Sequence, residues 1–116
     1  MAEKNESYLK AKAGKPRLGM VSPYFLQEIA EVLGFGDEKH KEHDWREGVN
    51  YEALIDSIKR HIAEFEQGHT ADGETGKHPL AHAASACMML AHYDWNREQY
   101  KKFDDRRWRV APHERR

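Results

Sequence analysis

From Leu80 to Ala91 the chain is apolar nearly all the way round a helix. Leu80, Ala81, Ala83, Ala84, Ala86, Cys87, Met88, Met89, Leu90 and Ala91 leave only His82 and Ser85 between them. A surface helix carries one apolar stripe, whereas a helix with no polar face has to be enclosed by neighbours. Its alanines let those neighbours approach closely, as in a helix bundle or a shared interface between subunits. The rest of the chain must therefore supply elements that cover this one.

Two such elements precede it. Tyr51, Leu54, Ile55, Ile58, Ile62 and Phe65 form a single stripe that predicts a helix over about 51–67, stopped by Gly68. Further upstream, Ser22-Pro23 reads as a helix start, with serine as cap and proline in the first turn. Phe25, Leu26, Ile29, Val32 and Leu33 follow at helical spacing, and Gly34 and Gly36 are expected to end that run. The third helix is expected over about 78–94, with a tail that starts helical and turns irregular near Asp104-Asp105-Arg106. No period-two strand pattern or internal repeat occurs. The expectation is an all-α fold, a small bundle of three main helices. An extended arm occupies 1–21, the helical domain 22–105 and a basic tail 106–116.

Charge is distributed unevenly along this frame. The net charge is -1, yet residues 22–94 hold six Lys/Arg against fourteen Asp/Glu, and both flanks are basic. An acidic centre can hold cations, although solvated surface carboxylates are the plainer reading. The lone Cys87 excludes an intramolecular disulfide, and its apolar surroundings predict a buried, inert thiol. No signal segment or membrane-spanning run appears, so a reducing cytoplasm is expected. Arg106, Arg107, Arg109, Arg115, Arg116 and Trp108 suggest a nucleic-acid surface. Acids interrupt that cluster, and nucleic acid ranks last among the partners.

The candidate chemistry lies between the second and third helices. His78 and His82 are four apart, about 40° round a helix, and so share one face. His61 borders the stripe of the preceding helix, with Ser57 and Glu64 beside it, and Asp72 and Glu74 lie in the connection. Imidazoles and carboxylates that converge in this way suit a divalent or transition metal, or a phosphate group. Spacing alone leaves open that His78 is a helix-start residue and His82 a core histidine. Glu28 and Glu31, at i and i+3, offer a carboxylate pair of the kind Mg2+ uses, and equally read as a solvated face. Lys15, Arg17, Lys39 and Arg60 are candidate phosphate contacts. Trp45 either anchors its loop to the bundle or stacks on a base. No nucleophile elbow, phosphate-binding loop or dinucleotide fingerprint occurs.

One ordered set of residues adds to this reading. It runs Gly14-Lys15-Pro16-Arg17-Leu18, Pro23, Val32, Gly36-x-x-Lys39-His40, Asp44-Trp45-Arg46, Arg60-His61, Gly68, Asp72-x-Glu74-x-Gly76, His78, His82 and Asp104-Asp105-Arg106. This order resembles the phage dATP/dGTP diphosphohydrolase N-terminal family, related to the MazG-like all-α nucleotide pyrophosphohydrolases, over roughly residues 14–107. The family usually has a tyrosine at position 40 and an asparagine at position 44.

The resemblance implies an oligomeric enzyme dependent on Mg2+ or Mn2+. It would cut purine (deoxy)nucleoside triphosphates to monophosphate and pyrophosphate, in the host cytoplasm if phage-encoded. MazG-like enzymes hold metal with a Glu-x-x-Glu pair and a later Glu-x-x-Asp pair. Glu28-x-x-Glu31 matches the first, but the third helix offers His78 and His82 in place of the second. The implied metal set is therefore drawn from Glu28, Glu31, His61, Asp72, Glu74, His78 and His82, with His61, Asp72 and Glu74 catalytic. The histidines admit a transition metal. Lys15, Arg17, Lys39, Trp45, Arg60, Asp105 and Arg106 would contact the purine nucleotide, Asp105 and Arg106 through a neighbouring subunit. The alternative is a non-catalytic binder that sequesters a host signalling nucleotide.

Overall fold

The structure is a computed structural model that describes residues 14–39 and 44–110. Among them every regular element is helical: α1 (Pro23–Lys39), α2 (Tyr51–Glu66), α3 (Pro79–Trp95) and the short α4 (Arg97–Tyr100), with 3-10 turns at Leu18–Met20, Trp45–Glu47 and Lys101–Phe103. The all-α expectation holds. The helix α3 is central, packed chiefly against α2 and next against α1. Ala81, Ala83 and Ala86 are buried along it. The one buried polar side chain there, Ser85, donates its hydroxyl to the Ala81 carbonyl at 2.8 Å, which removes the cost of an unpaired group.

The first helix runs further than its glycines suggest. Gly34 and Gly36 lie inside α1, which continues to Lys39, because glycine in a helix costs only about 1 kcal/mol and does not block the hydrogen-bond ladder. Ser22 starts the helix as read, its Oγ accepting from the Phe25 amide at 3.3 Å. Only Val32 of its stripe is buried, while Leu26 and Phe25 stay exposed. Cys87 is also exposed, not buried as its neighbours suggest. It sits on the side of α3 that neither neighbour covers.

The other long helices begin with borrowed acceptors. Asn50 makes no side-chain cap. Asp105 from the tail accepts from the Glu52 amide at 2.9 Å, and Glu52 in turn accepts from the Arg107 amide at 2.7 Å. This reciprocal strap ties the tail to the start of α2. At α3, His78 is the cap, its Nδ1 accepting from the Leu80 amide at 3.0 Å, and Pro79 takes the first helical position.

A cluster of Tyr51, Tyr93 and Tyr100 forms the tightest core, with Trp45, Val49, Leu54, Met89, Leu90 and Phe103 against it. Trp45 therefore anchors its loop to the bundle. Gly48 lies in the same place with φ of +115°, and a Cβ there would stand 2.1 Å from the Phe103 ring. Only glycine permits that approach. No helix among the described residues is long and apolar enough to cross a membrane.

Candidate functional site: a histidine–carboxylate cluster between α2 and α3

The turn between α2 and α3 is built around Asp72. Its Oδ2 accepts from the backbone amides of Glu74 at 3.0 Å and Thr75 at 3.1 Å. The Asp72 amide donates to the Lys77 carbonyl at 2.7 Å, and the Gly76 amide to the Asp72 carbonyl at 2.8 Å. Gly76, at φ +74°, supplies the left-handed residue such a closure requires. An aspartate binding the amides two and three residues on is the ordinary turn chemistry of that side chain. Here it also fixes which oxygen remains available, because Oδ2 is occupied and Oδ1 faces α2.

Opposite Oδ1 stands His61, 13% exposed, with Nδ1 at 3.9 Å. Glu64, one turn along the same helix, brings Oε1 to 3.5 Å of that nitrogen. The three ligand atoms all lie within 4.8 Å of one another. His61 Nδ1 is nevertheless buried without a hydrogen-bond partner among the described residues. A buried imidazole nitrogen is normally satisfied. An unpartnered one pointing at two carboxylates fits a cation between them.

From α3, His82 stacks on His61, with ring centroids 4.5 Å apart and planes 19° apart. Its Nε2 meets the Thr75 hydroxyl at 2.7 Å and stands 3.8 Å from Asp72 Oδ2. Burial holds the His82 pKa down, and the neighbouring His61 adds to this. Burial alone would push the Asp72 carboxyl up, but the Thr75 and Glu74 amides and the two imidazoles outweigh it. Its pKa falls below the ordinary value.

The structure thus brings His61, Asp72 and His82 together and adds Glu64 and Thr75. Glu64 was legible as the i+3 neighbour of His61 on one helix face. Thr75 gave no signal beyond its place three residues after an aspartate.

Other residues named from the sequence lie elsewhere. His78 spends its Nδ1 on the α3 cap, and its ring lies beside Phe65. The Glu74 carboxylate turns outward to Lys39 at 2.9 Å, both side chains exposed. Glu28 accepts from the His78 amide at 2.7 Å, and Glu31 pairs with Lys77. These two glutamates hold α1 to the start of α3. Lys15, Arg17 and Arg60 are exposed.

Trp45, Asp105 and Arg106 sit at the far end of the α2–α3 pair. Arg106 lies over the Tyr51 ring and, like Arg109, pairs with Asp104. Ten helical residues separate Tyr51 from His61, about 15 Å. Within one chain these three side chains do not join the cluster. His40 and His43 fall outside the described residues.

Compared with known proteins, residues 5–113 match the family model described as dATP/dGTP diphosphohydrolase, N-terminal. The chain belongs to this family. The resemblance carried by the ordered motifs is thereby confirmed. A relative named dATP/dGTP diphosphohydrolase, from Salmonella phage PMBT28, is 39% identical over 103 residues, covering 89% of this chain and 34% of that protein. The chain thus spans about a third of the length of this curated family relative. No solved structure matches it.

Proposed function

We propose that the chain acts on purine deoxynucleoside triphosphates as a divalent-metal-dependent pyrophosphohydrolase, releasing the monophosphate and pyrophosphate. The observation that carries this reading is the unpartnered Nδ1 of His61, buried opposite Asp72 and Glu64 in a chain of this family. The name of the phage relative supports the substrate class. His61, Glu64 and Asp72 would hold the divalent ion. A divalent cation there supplies positive charge against the phosphates.

The chain's own residues do the rest. The turn amides and Thr75 fix the Asp72 carboxylate, and the stack on His82 fixes the His61 ring. Lys39, paired with Glu74 of the turn, and Arg60, next to His61 in sequence, would meet the triphosphate. Trp45, Asp105 and Arg106 would reach a nucleotide only from a second subunit.

Incubation of the chain with dATP or dGTP and Mn2+ tests the reading. Pyrophosphate and monophosphate should appear in equal amounts, and Asp72→Asn should abolish both. A second reading uses the same cluster without a productive ion: the chain binds the nucleotide and leaves it intact. Thermal stabilisation by dGTP that remains intact would sink the hydrolase and leave the binder.

A further inference from the structure

We infer that His61, Glu64 and Asp72 form a site for one first-row transition-metal dication, and that Mg2+ is not its occupant. The inference deepens the proposed function and rests on it for the ion's purpose, though not for its presence.

Distances come first. Donor atoms bound to one ion at about 2.1 Å stand roughly 3 to 4 Å apart across the usual coordination angles. His61 Nδ1 lies 3.5 Å from Glu64 Oε1 and 3.9 Å from Asp72 Oδ1, so both pairs already stand at ligand spacing. The Glu64–Asp72 pair lies within 4.8 Å. Glu64 is the most exposed of the three, at 36%, and a small turn of that side chain closes the set.

The donor set decides the class of ion. Mg2+ demands an octahedron of hard oxygen ligands and keeps most of its waters. An imidazole nitrogen in a buried position is a poor ligand for it and a good one for Fe2+, Co2+, Ni2+ or Zn2+. The surroundings fit the same conclusion, since metal-binding side chains are held in place by outer hydrogen bonds. Asp72 commits Oδ2 to the Glu74 and Thr75 amides and keeps Oδ1 for the ion. His82, bonded to Thr75 and stacked on His61, orients the ring without spending Nδ1 of His61. Water and substrate would take the remaining positions from the exposed Glu64 side.

The carboxylates Glu28 and Glu31 provide an internal contrast. They lie on α1, and both already have partners, the His78 amide and Lys77.

Titration of the full chain with Co2+, followed by its visible absorption, reads the site without any nucleotide. One ion per chain should bind, Zn2+ should displace it, and excess Mg2+ should not. Glu64→Gln and Asp72→Asn should each weaken binding by at least roughly tenfold, while Glu31→Gln leaves it unchanged. Glu64 is partly exposed, so Glu64→Gln should keep full helicity by circular dichroism and report on the ion alone. Binding indifferent to Glu64→Gln and Asp72→Asn, or displaced by equimolar Mg2+, overturns the inference. Pyrophosphate release measured in parallel separates the two ideas. A Co2+ site in a chain that leaves dGTP intact upholds the metal and sinks the hydrolase. Hydrolysis supported by Mg2+ in a chain with no Co2+ site does the reverse.

Discussion

The pair α2 and α3 stacks rings across its interface twice, and the two stacks differ in how their polar atoms are partnered. At one end Tyr51 and Tyr93 lie 5.8 Å apart and 15° from parallel. At the other, His61 and His82 lie 4.5 Å apart and 19° from parallel. The tyrosine end satisfies its polar atoms, since Tyr93 donates to the Trp45 carbonyl and Tyr100 to the Arg46 carbonyl, both at 2.5 Å. The histidine end leaves Nδ1 of His61 buried and unpaired. Similar ring geometry thus closes a core in one place and, on the proposed reading, keeps a ligand position open in the other. Violations of polar bookkeeping are expected where function is placed.

The largest expected effect belongs to the tyrosine end. Tyr93 is fully buried and touches Trp45, Tyr51, His92 and Tyr100 through its ring. Burial also pushes its hydroxyl up to about 12, so it remains a neutral donor at any ordinary pH. Tyr93→Ala should cost about 3–5 kcal/mol in urea unfolding, enough to unfold a domain of marginal stability. A loss under about 1 kcal/mol would mean that this end is not the core, and the contrast would fail.

The two ends were unequally legible in the sequence. The stripe Tyr51–Phe65 and the alanine-rich segment fixed α2 and α3 to within a residue or two, because burying a continuous face leaves a strong period. The reach of α1 past Gly34 and Gly36 was not legible, since a weak helix former is overridden by its neighbours at small cost. The convergence of His61 with Asp72 was readable because both flank one short connection. The exclusion of Glu74 and His78 was not. It depends on which atom the turn and the cap consume, and that is settled by backbone geometry that spacing does not encode. Asp105 and Arg106 were expected as nucleotide contacts in a neighbouring subunit's pocket. Within one chain the Asp105 carboxylate and the Arg106 guanidinium close a strap over the start of α2.

That strap gives the next effect in size. The Arg106 side chain, hydrogen-bonded to Asp104, holds the Asp104 carboxyl at about 2 against an ordinary 3.8, over the opposing effect of burial. A carboxyl whose pKa is depressed by folding adds stability above its unfolded value and loses it as pH falls towards its folded value. The contribution should be complete above about pH 4 and disappear between there and about pH 2. Asp104→Asn should therefore lower stability by about 1–2 kcal/mol at neutral pH and converge on the unchanged protein near pH 2. Subtracting the two unfolding curves across pH isolates this group from Asp72, which shifts in the same direction. A difference that stays constant with pH would mean that the tail's ion pairs do not hold the tyrosine end closed.

The smallest expected change in stability is the most telling one. His61→Phe keeps a flat ring to stack on His82 and removes the unpaired nitrogen. A buried donor or acceptor without a partner costs about 1–3 kcal/mol, so replacing it by carbon should leave stability within about 0.5 kcal/mol or raise it. The same variant should lose its Co2+ absorption. This pairing of unchanged stability with lost binding is what a ligand position predicts and a core position does not. If His61→Phe instead destabilises the chain by as much as about 2 kcal/mol with Co2+ binding intact, His61 is packed in the same sense as Tyr93. The two stacked pairs would then be one continuous core, with the nucleotide chemistry to be sought on another face of the bundle.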